Sequence, residues 1–176
     1  YPQFRIPSTL MGVFEPTAGY LLVEKCVQAH VTAAQVHGAL IRQQRVVRWQ
    51  ARDDGFLVET SRDRYTADAL IVTAGPWAGE LIPRVSNRLS VRRTHQHWFA
   101  KPHSSRYETK GGCPVFLFET DRGIFYGFPS LDGRLLKVAE HGEGTEVTTA
   151  IELADAGVDV EEQTRVVEFL ARHLPE

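Results

Sequence analysis

Three short apolar runs, separated by two tight-turn signals, constrain this chain more than any other feature. Val115 to Glu119, Ile124 to Phe128 and Leu135 to Ala139 each have the length of a short strand. Asp121-Arg122-Gly123 and Asp132-Gly133 lie between them. Aspartate followed by glycine suits a hairpin reversal, because glycine reaches the positive φ that such turns need. Only antiparallel neighbours can be joined by so few residues. The pattern therefore predicts an antiparallel sheet in the second half of the chain.

The first half changes period. Residues 1 to 19 read as loop with a short strand around Met11 to Glu15, punctuated by Pro2, Pro7, Pro16 and Gly19. A helix is expected over Leu21 to His37, where Leu22, Cys26, Ala29, Ala33 and Val36 build one apolar stripe and Gly38 supplies a stop. Ala39 to Trp49 then fits a strand, and Phe56 to Thr60 a second one after Asp53-Asp54-Gly55. A further strand is expected from Tyr65 to Thr73. Its centre, Ala69-Leu70-Ile71-Val72, is continuously apolar, as in a parallel strand buried on both faces. Helix, strand, hairpin and buried strand together suggest part of an α/β nucleotide-binding domain. From Leu89 a second region begins. Residues 90 to 100 alternate imperfectly, and a loop with Pro102, Ser104, Ser105, Gly111 and Gly112 follows. A last helix is expected over Glu161 to His173, with Val166, Val167, Phe169 and Leu170 apolar.

Composition excludes several classes of partner. Twenty basic against 22 acidic side chains leave a net charge of -2, which offers no bulk attraction to nucleic acid or to an anionic membrane. Arg42, Arg45, Arg48 and Arg52 form a basic run around Trp49, but alternating strand faces and the nearby Asp53 and Asp54 argue against a nucleic-acid surface. No apolar stretch approaches the roughly 20 residues that span a bilayer. Cys26 and Cys113 fit no metal-ligand spacing and read as reduced thiols. His95, His97 and His103 match no zinc pattern, and no clear carboxylate or cysteine completes a set, so no metal is expected. With no signal peptide at its start, the chain is expected in the cytoplasm.

Several segments can carry chemistry or plain structure. Thr73-Ala74-Gly75-Pro76-Trp77 closes the expected buried strand. Small residues there let a ligand approach the backbone beyond a strand end, or simply make a tight turn before a short helix. Neither GxGxxG nor a phosphate loop of the GxxxxGK[ST] type occurs. In Tyr126-Gly127-Phe128-Pro129-Ser130, Phe125 and Phe128 read as core, with Tyr126 facing away from both into another environment. Lys137, amid Leu135, Leu136, Val138 and Ala139, is either a charge placed in a site or the solvent-facing member of an edge strand. His141, before Gly142 and Gly144, either orients a substrate or sits at a surface turn.

Four stretches together resemble a known family. They are Phe14-Glu15-Pro16 with Gly19; Arg45-Val46; Tyr65-Thr66-Ala67-Asp68 leading into Ile71-Val72-Thr73-Ala74-Gly75-Pro76-Trp77; and Gly123 to His141. The chain resembles the flavoproteins that include monomeric sarcosine oxidase and N-methyltryptophan oxidase, within the D-amino-acid-oxidase-like group. The resemblance implies a mixed α+β and α/β fold, with a partial Rossmann-like FAD-binding domain and a mixed or antiparallel-sheet substrate domain. It implies boundaries of 1–19 for an entry segment of the substrate domain, 20–84 for the FAD-binding part and 85–176 for the substrate part.

The same resemblance assigns roles. Lys137 corresponds to a lysine near the flavin that assists oxygen activation, where a fixed cation stabilises developing negative charge. His141 corresponds to an active-site histidine beside the amine, and Tyr126 to a tyrosine that shapes the pocket. Val46 corresponds to a residue whose backbone meets the adenosine end of FAD, and Thr73, Ala74, Gly75 and Trp77 to the strand end near the cofactor. The implied reaction is oxidation of the C–N bond of a secondary or N-methyl amino acid, with O2 reduced to H2O2. The implied partners are therefore a small amine or amino acid and O2. A related FAD-dependent dehydrogenase and a non-catalytic interaction domain are the alternatives.

The family's GxGxxG unit, its N-terminal arginines, its later carboxylate-binding lysine and its flavin-linking cysteine have no counterpart here. The start at Tyr1-Pro2-Gln3-Phe4 and the stop at Glu176 also read as an internal piece of a longer protein. The expectation is that such a piece alone neither holds FAD tightly nor turns over.

Overall fold

The computed structural model describes residues 1–100, 105–142, 144–147 and 157–174; the loop residues Pro102, His103 and Ser104 lie outside them. The chain divides into two compact units, one of residues 21–91 and one of residues 1–20 with 92–176.

The 21–91 unit opens with helix α1 (Val23–Val36), close to the expected span. Its His37 N–H donates to Ala33 O and Ala34 O, and Gly38 follows at φ +89°, so the glycine stop forms as expected. The apolar stripe of α1 is not covered: no residue of this helix is buried. Strands β1 (Val46–Arg52), β2 (Gly55–Thr60) and β3 (Arg64–Ala67) follow in an antiparallel meander. The glycine-free corner between β2 and β3 is held by side chains instead. Thr60 Oγ1 accepts from the Asp63 N–H at 2.9 Å and donates to Gln44 Oε1 at 2.7 Å. Trp49 Nε1 donates to Leu81 O at 2.7 Å, tying the meander to the short helices α2 (Ala78–Leu81) and α3 (Pro83–Ser86).

Two expected strands shrink here. Residues 39–45 are not strand, and β1 begins only at Val46. The segment Ala69 to Thr73 is not strand either, and Ile71 is 85% exposed, so the parallel strand buried on both faces is not formed. A strand exists through its ladder partners. Among the described residues no strand lies beside 69–73, so its apolar run has nothing to pair with or pack under. Met11 to Glu15 likewise forms no strand.

The other unit is built on the antiparallel sheet the turn signals predict. Strand β4 (Val91–Arg93) and β5 (His97–Ala100) come first, then β6 (Phe116–Thr120), β7 (Gly123–Phe128), β8 (Leu135–Glu140) and β9 (Thr145–Val147). Four of these form one sheet in the order β5-β8-β7-β6, antiparallel throughout, while β4 pairs with β9. The Asp132 carboxylate accepts from the N–H groups of Arg134 and Leu135, and those bonds hold its pKa below the ordinary aspartate value.

One face of this sheet packs on helix α4 (Val160–His173). Asp159 caps the helix, accepting from the N–H groups of Glu161 and Glu162 at 3.0 Å each. The buried positions Glu162, Val166, Phe169, Leu170 and His173 recur at spacings of three and four, which puts them on one face. Val167, expected in this apolar set, points off it and is 48% exposed. Phe169 stacks on Phe125 of β7, with ring centroids 4.5 Å apart and planes at 10°.

Candidate functional site

Directly paired residues of adjacent strands project from the same face of a sheet. On the face turned to α4, His97, Val138, Gly127 and Phe116 form one rung across all four strands. A Cβ at Gly127 would run into the ring of Phe116, so glycine is required between Tyr126 and Phe128 for Phe116 to lie flat over β7.

The opposite face carries the candidate site. Trp98, Lys137 and Phe128 stand in one rung, and Leu117, Tyr126 and Ala139 in the next. Phe128 therefore shares the face of Tyr126, and only Phe125 turns to the core. The expectation that grouped Phe128 with Phe125 fails because strand alternation puts residues two apart on one side. Tyr126 meets Phe128 edge-on at 6.0 Å, and Tyr20 meets the same ring at 6.4 Å. His141, one residue beyond β8, donates its backbone N–H to Ile124 O at 2.7 Å, and its exposed ring lies 6.2 Å from that of Tyr126.

Lys137 is half-buried in this aromatic setting. Its Nζ lies 5.2 Å from the centroid of Trp98 and 5.1 Å from that of Phe128. Among the described residues no carboxylate forms an ion pair with it. The arrangement is a fixed positive charge above a largely aromatic, partly open face, suited to a planar group and to negative charge. Lys137 and Tyr126 are thus brought onto one face of the two central strands, with His141 just beyond the end of β8. Trp98, Phe128 and Tyr20 join them. Trp98 carried a signal in its period-two position opposite Lys137, but that register is set by pairing and is invisible in sequence.

The residues expected at the cofactor lie in the other unit. Val46 opens β1 beside a register irregularity. Thr73 and Ala74 lead into a 3-10 turn at Gly75–Trp77, where Gly75 adopts φ +54° and has open space where a Cβ would stand. This is a turn entered from irregular chain, not from a buried strand.

A buried polar cluster escaped the sequence reading. Glu162 accepts from His95 twice, from the backbone N–H at 3.2 Å and from Nδ1–H at 2.7 Å. A carboxylate does therefore reach the paired histidines, from a helix far along the chain. Among the described residues no group of three or more metal-binding side chains forms.

The model of the family described as FAD dependent oxidoreductase matches residues 1–176. The chain belongs to this family. It is 30% identical over 177 residues to a monomeric sarcosine oxidase of Bacillus sp. (strain B-0618), covering 99% of this chain and 45% of that protein. It is also 30% identical over 177 residues to the N-methyl-L-tryptophan oxidase of Escherichia coli O127:H6 (strain E2348/69 / EPEC), covering 99% of this chain and 46% of that protein. The chain thus spans about half the length of these relatives. Among solved structures it resembles the open form of NikD, an unusual amino acid oxidase essential for nikkomycin biosynthesis, with a TM-score of 0.58, 21% identity, and coverage of 87% of this chain and 40% of that one. The mixed fold of helices and antiparallel sheets is that of this family's flavoproteins.

Proposed function

We propose that this chain forms part of an FAD-dependent oxidase that oxidises the C–N bond of a secondary or N-methyl amino acid and reduces O2 to H2O2. The observation that carries the reading is the position of Lys137, a cation without a carboxylate partner among the described residues, above an aromatic sheet face that also holds Tyr126 and beside which His141 sits.

The lysine-bearing face fits a planar, electron-accepting ring. It offers aromatic surface for contact and a positive charge for the electrons that arrive, and the buried unpartnered polar atoms lie elsewhere. Bound FAD would supply the two-electron acceptor for the hydride leaving the substrate carbon and would pass those electrons to O2. The residues do the rest. Lys137 holds positive charge where O2 gains negative charge, a preorganised term that typically amounts to about 3 kcal/mol of barrier. His141, whose exposed ring lies beside that of Tyr126, orients the amine or carboxylate of the substrate. Tyr126, set between the rings of Phe128 and His141, shapes one side of that face.

By the same resemblance, Val46 of the 21–91 unit corresponds to a residue whose backbone meets the adenosine end of FAD, and Thr73, Ala74, Gly75 and Trp77 to a segment near the cofactor. The glycine-rich cradle that usually holds a pyrophosphate is absent from this sequence. Tight binding of FAD is accordingly expected of the full-length protein and not of these residues alone. A cytoplasmic location belongs to the same proposal, supported by two free thiols.

The test is the visible spectrum of the full-length protein before and after anaerobic addition of sarcosine. Bleaching, then recovery with peroxide on admitting air, supports the reading. A flavin spectrum that bleaches but does not recover in air marks a dehydrogenase, and a colourless protein overturns the proposal.

A further inference from the structure

We infer that Trp98 is a positioning residue for Lys137: its ring, with that of Phe128, forms a cation–π clamp that fixes the ammonium over the open face. This rests on the role proposed for Lys137.

Three facts on neighbouring strands carry the inference. Trp98 and Phe128 are the two residues paired directly with Lys137, one on each side, so all three project from the same face in one rung. The ammonium is nearly equidistant from the two rings, at 5.2 and 5.1 Å, within the range where the ring quadrupole attracts a cation. Phe128 is in turn braced edge-on by Tyr126 and Tyr20, at 85° each, so that wall of the clamp is itself held. Among the described residues Trp98 has no such brace, and it is 56% exposed. A large apolar ring left open to solvent on a sheet face contributes little to the core, which leaves the lysine as the contact that uses it.

The chemistry explains why rings suit this task better than a carboxylate. A salt bridge would fix the ammonium but neutralise it toward a newly arriving negative charge. Aromatic faces restrain the long flexible side chain while leaving the whole charge available. Trp98 thereby limits the volume the ammonium samples, which matters for a step that needs charge at one place.

The experiment compares W98A, W98F and K137M. In protein with isotope-labelled lysine Cε, the Lys137 methylene resonance is shifted upfield by two facing rings relative to the other lysines. W98A moves it toward the position of a free lysine, and W98F restores most of the displacement. In the full-length holoenzyme, W98A slows the reaction of the reduced enzyme with O2 by about three- to tenfold. The rate of reduction by substrate falls by a smaller factor than the O2 rate, and W98F recovers most of the O2 rate. An unmoved Lys137 resonance in W98A overturns the clamp. So does an unchanged O2 rate in W98A when K137M is slow. If K137M itself reacts with O2 at the wild-type rate, the role given to Lys137 fails, and the resonance alone then decides whether Trp98 holds it. Exposure of Trp98 makes W98A compatible with folding, and W98F guards against the exception.

Discussion

Arg5 and His173 exchange two hydrogen bonds. The Arg5 N–H donates to His173 O at 2.8 Å, and the His173 Nδ1–H donates to Arg5 O at 3.0 Å. A carbonyl can only accept, so the proton of this imidazole sits on Nδ1. The pair fastens the N-terminal segment to the last turn of α4. The same ring stacks on Phe169 at 5.1 Å and lies 5.2 Å from Phe118. H173A removes one bond and those ring contacts together. We expect a loss of about 2 kcal/mol in chemical denaturation, with H173N losing less because its side-chain amide can still donate to Arg5 O.

Phe169 is the centre of the sheet–helix core, 3% exposed and stacked on Phe125. F169A is expected to cost about 3–5 kcal/mol, since the cavity it leaves is walled by strands and cannot collapse. F169L should lose less than half as much. Urea denaturation midpoints of the two variants check the order, and equal losses would show that stacking, not volume, dominates.

Gly127 tests the geometry under the candidate site. G127A forces its methyl into the Phe116 ring and should cost about 1–3 kcal/mol. The paired variant G127A/F116L should recover part of that loss by making room. A single alanine variant as stable as the wild type would mean that Phe116 does not lie over β7.

Glu162 holds His95 by both backbone and ring. E162A leaves two donors in a largely buried place without an acceptor, at a cost of about 3 kcal/mol. E162Q keeps one accepting oxygen and should fall between that variant and the wild type. Thermal unfolding of the three proteins at one pH provides the comparison.

Burial pushes the Cys113 thiol up to about 11, with a hydrogen bond from Gln3 offsetting it in part. The folded state therefore keeps this proton where the unfolded chain, with an ordinary thiol, has lost it. Stability from this source falls as pH rises from about 9 toward 11. At pH 8 a thiol reagent should modify the partly exposed Cys26 quickly and Cys113 only after denaturant is added. C113A should flatten the alkaline loss of stability.

The parts of the fold legible in the sequence are those governed by nearby residues. The hairpins at Asp121 to Gly123 and Asp132-Gly133, the helix over Val160–His173 and the stop at Gly38 all depend on residues within a few positions. The segment Ala69 to Val72 was misread for the opposite reason. Its composition suits a buried strand, but a strand needs a neighbour, and among the described residues it has none. In the candidate site, Lys137, Tyr126 and His141 were legible only through likeness to a family, since their pattern alone fits an ordinary edge strand as well.

Sequence alone determined the turn positions and the helical stripe of α4, because backbone geometry imposes those features locally. Tertiary structure alone decided which segments meet where no tight turn joins them. That choice set Trp98 opposite Lys137, brought Glu162 to His95 across 67 positions and joined Arg5 to His173. Such pairings arise from burying one shared face of the sheet beneath α4, a free energy that belongs to the assembled elements and to no single segment.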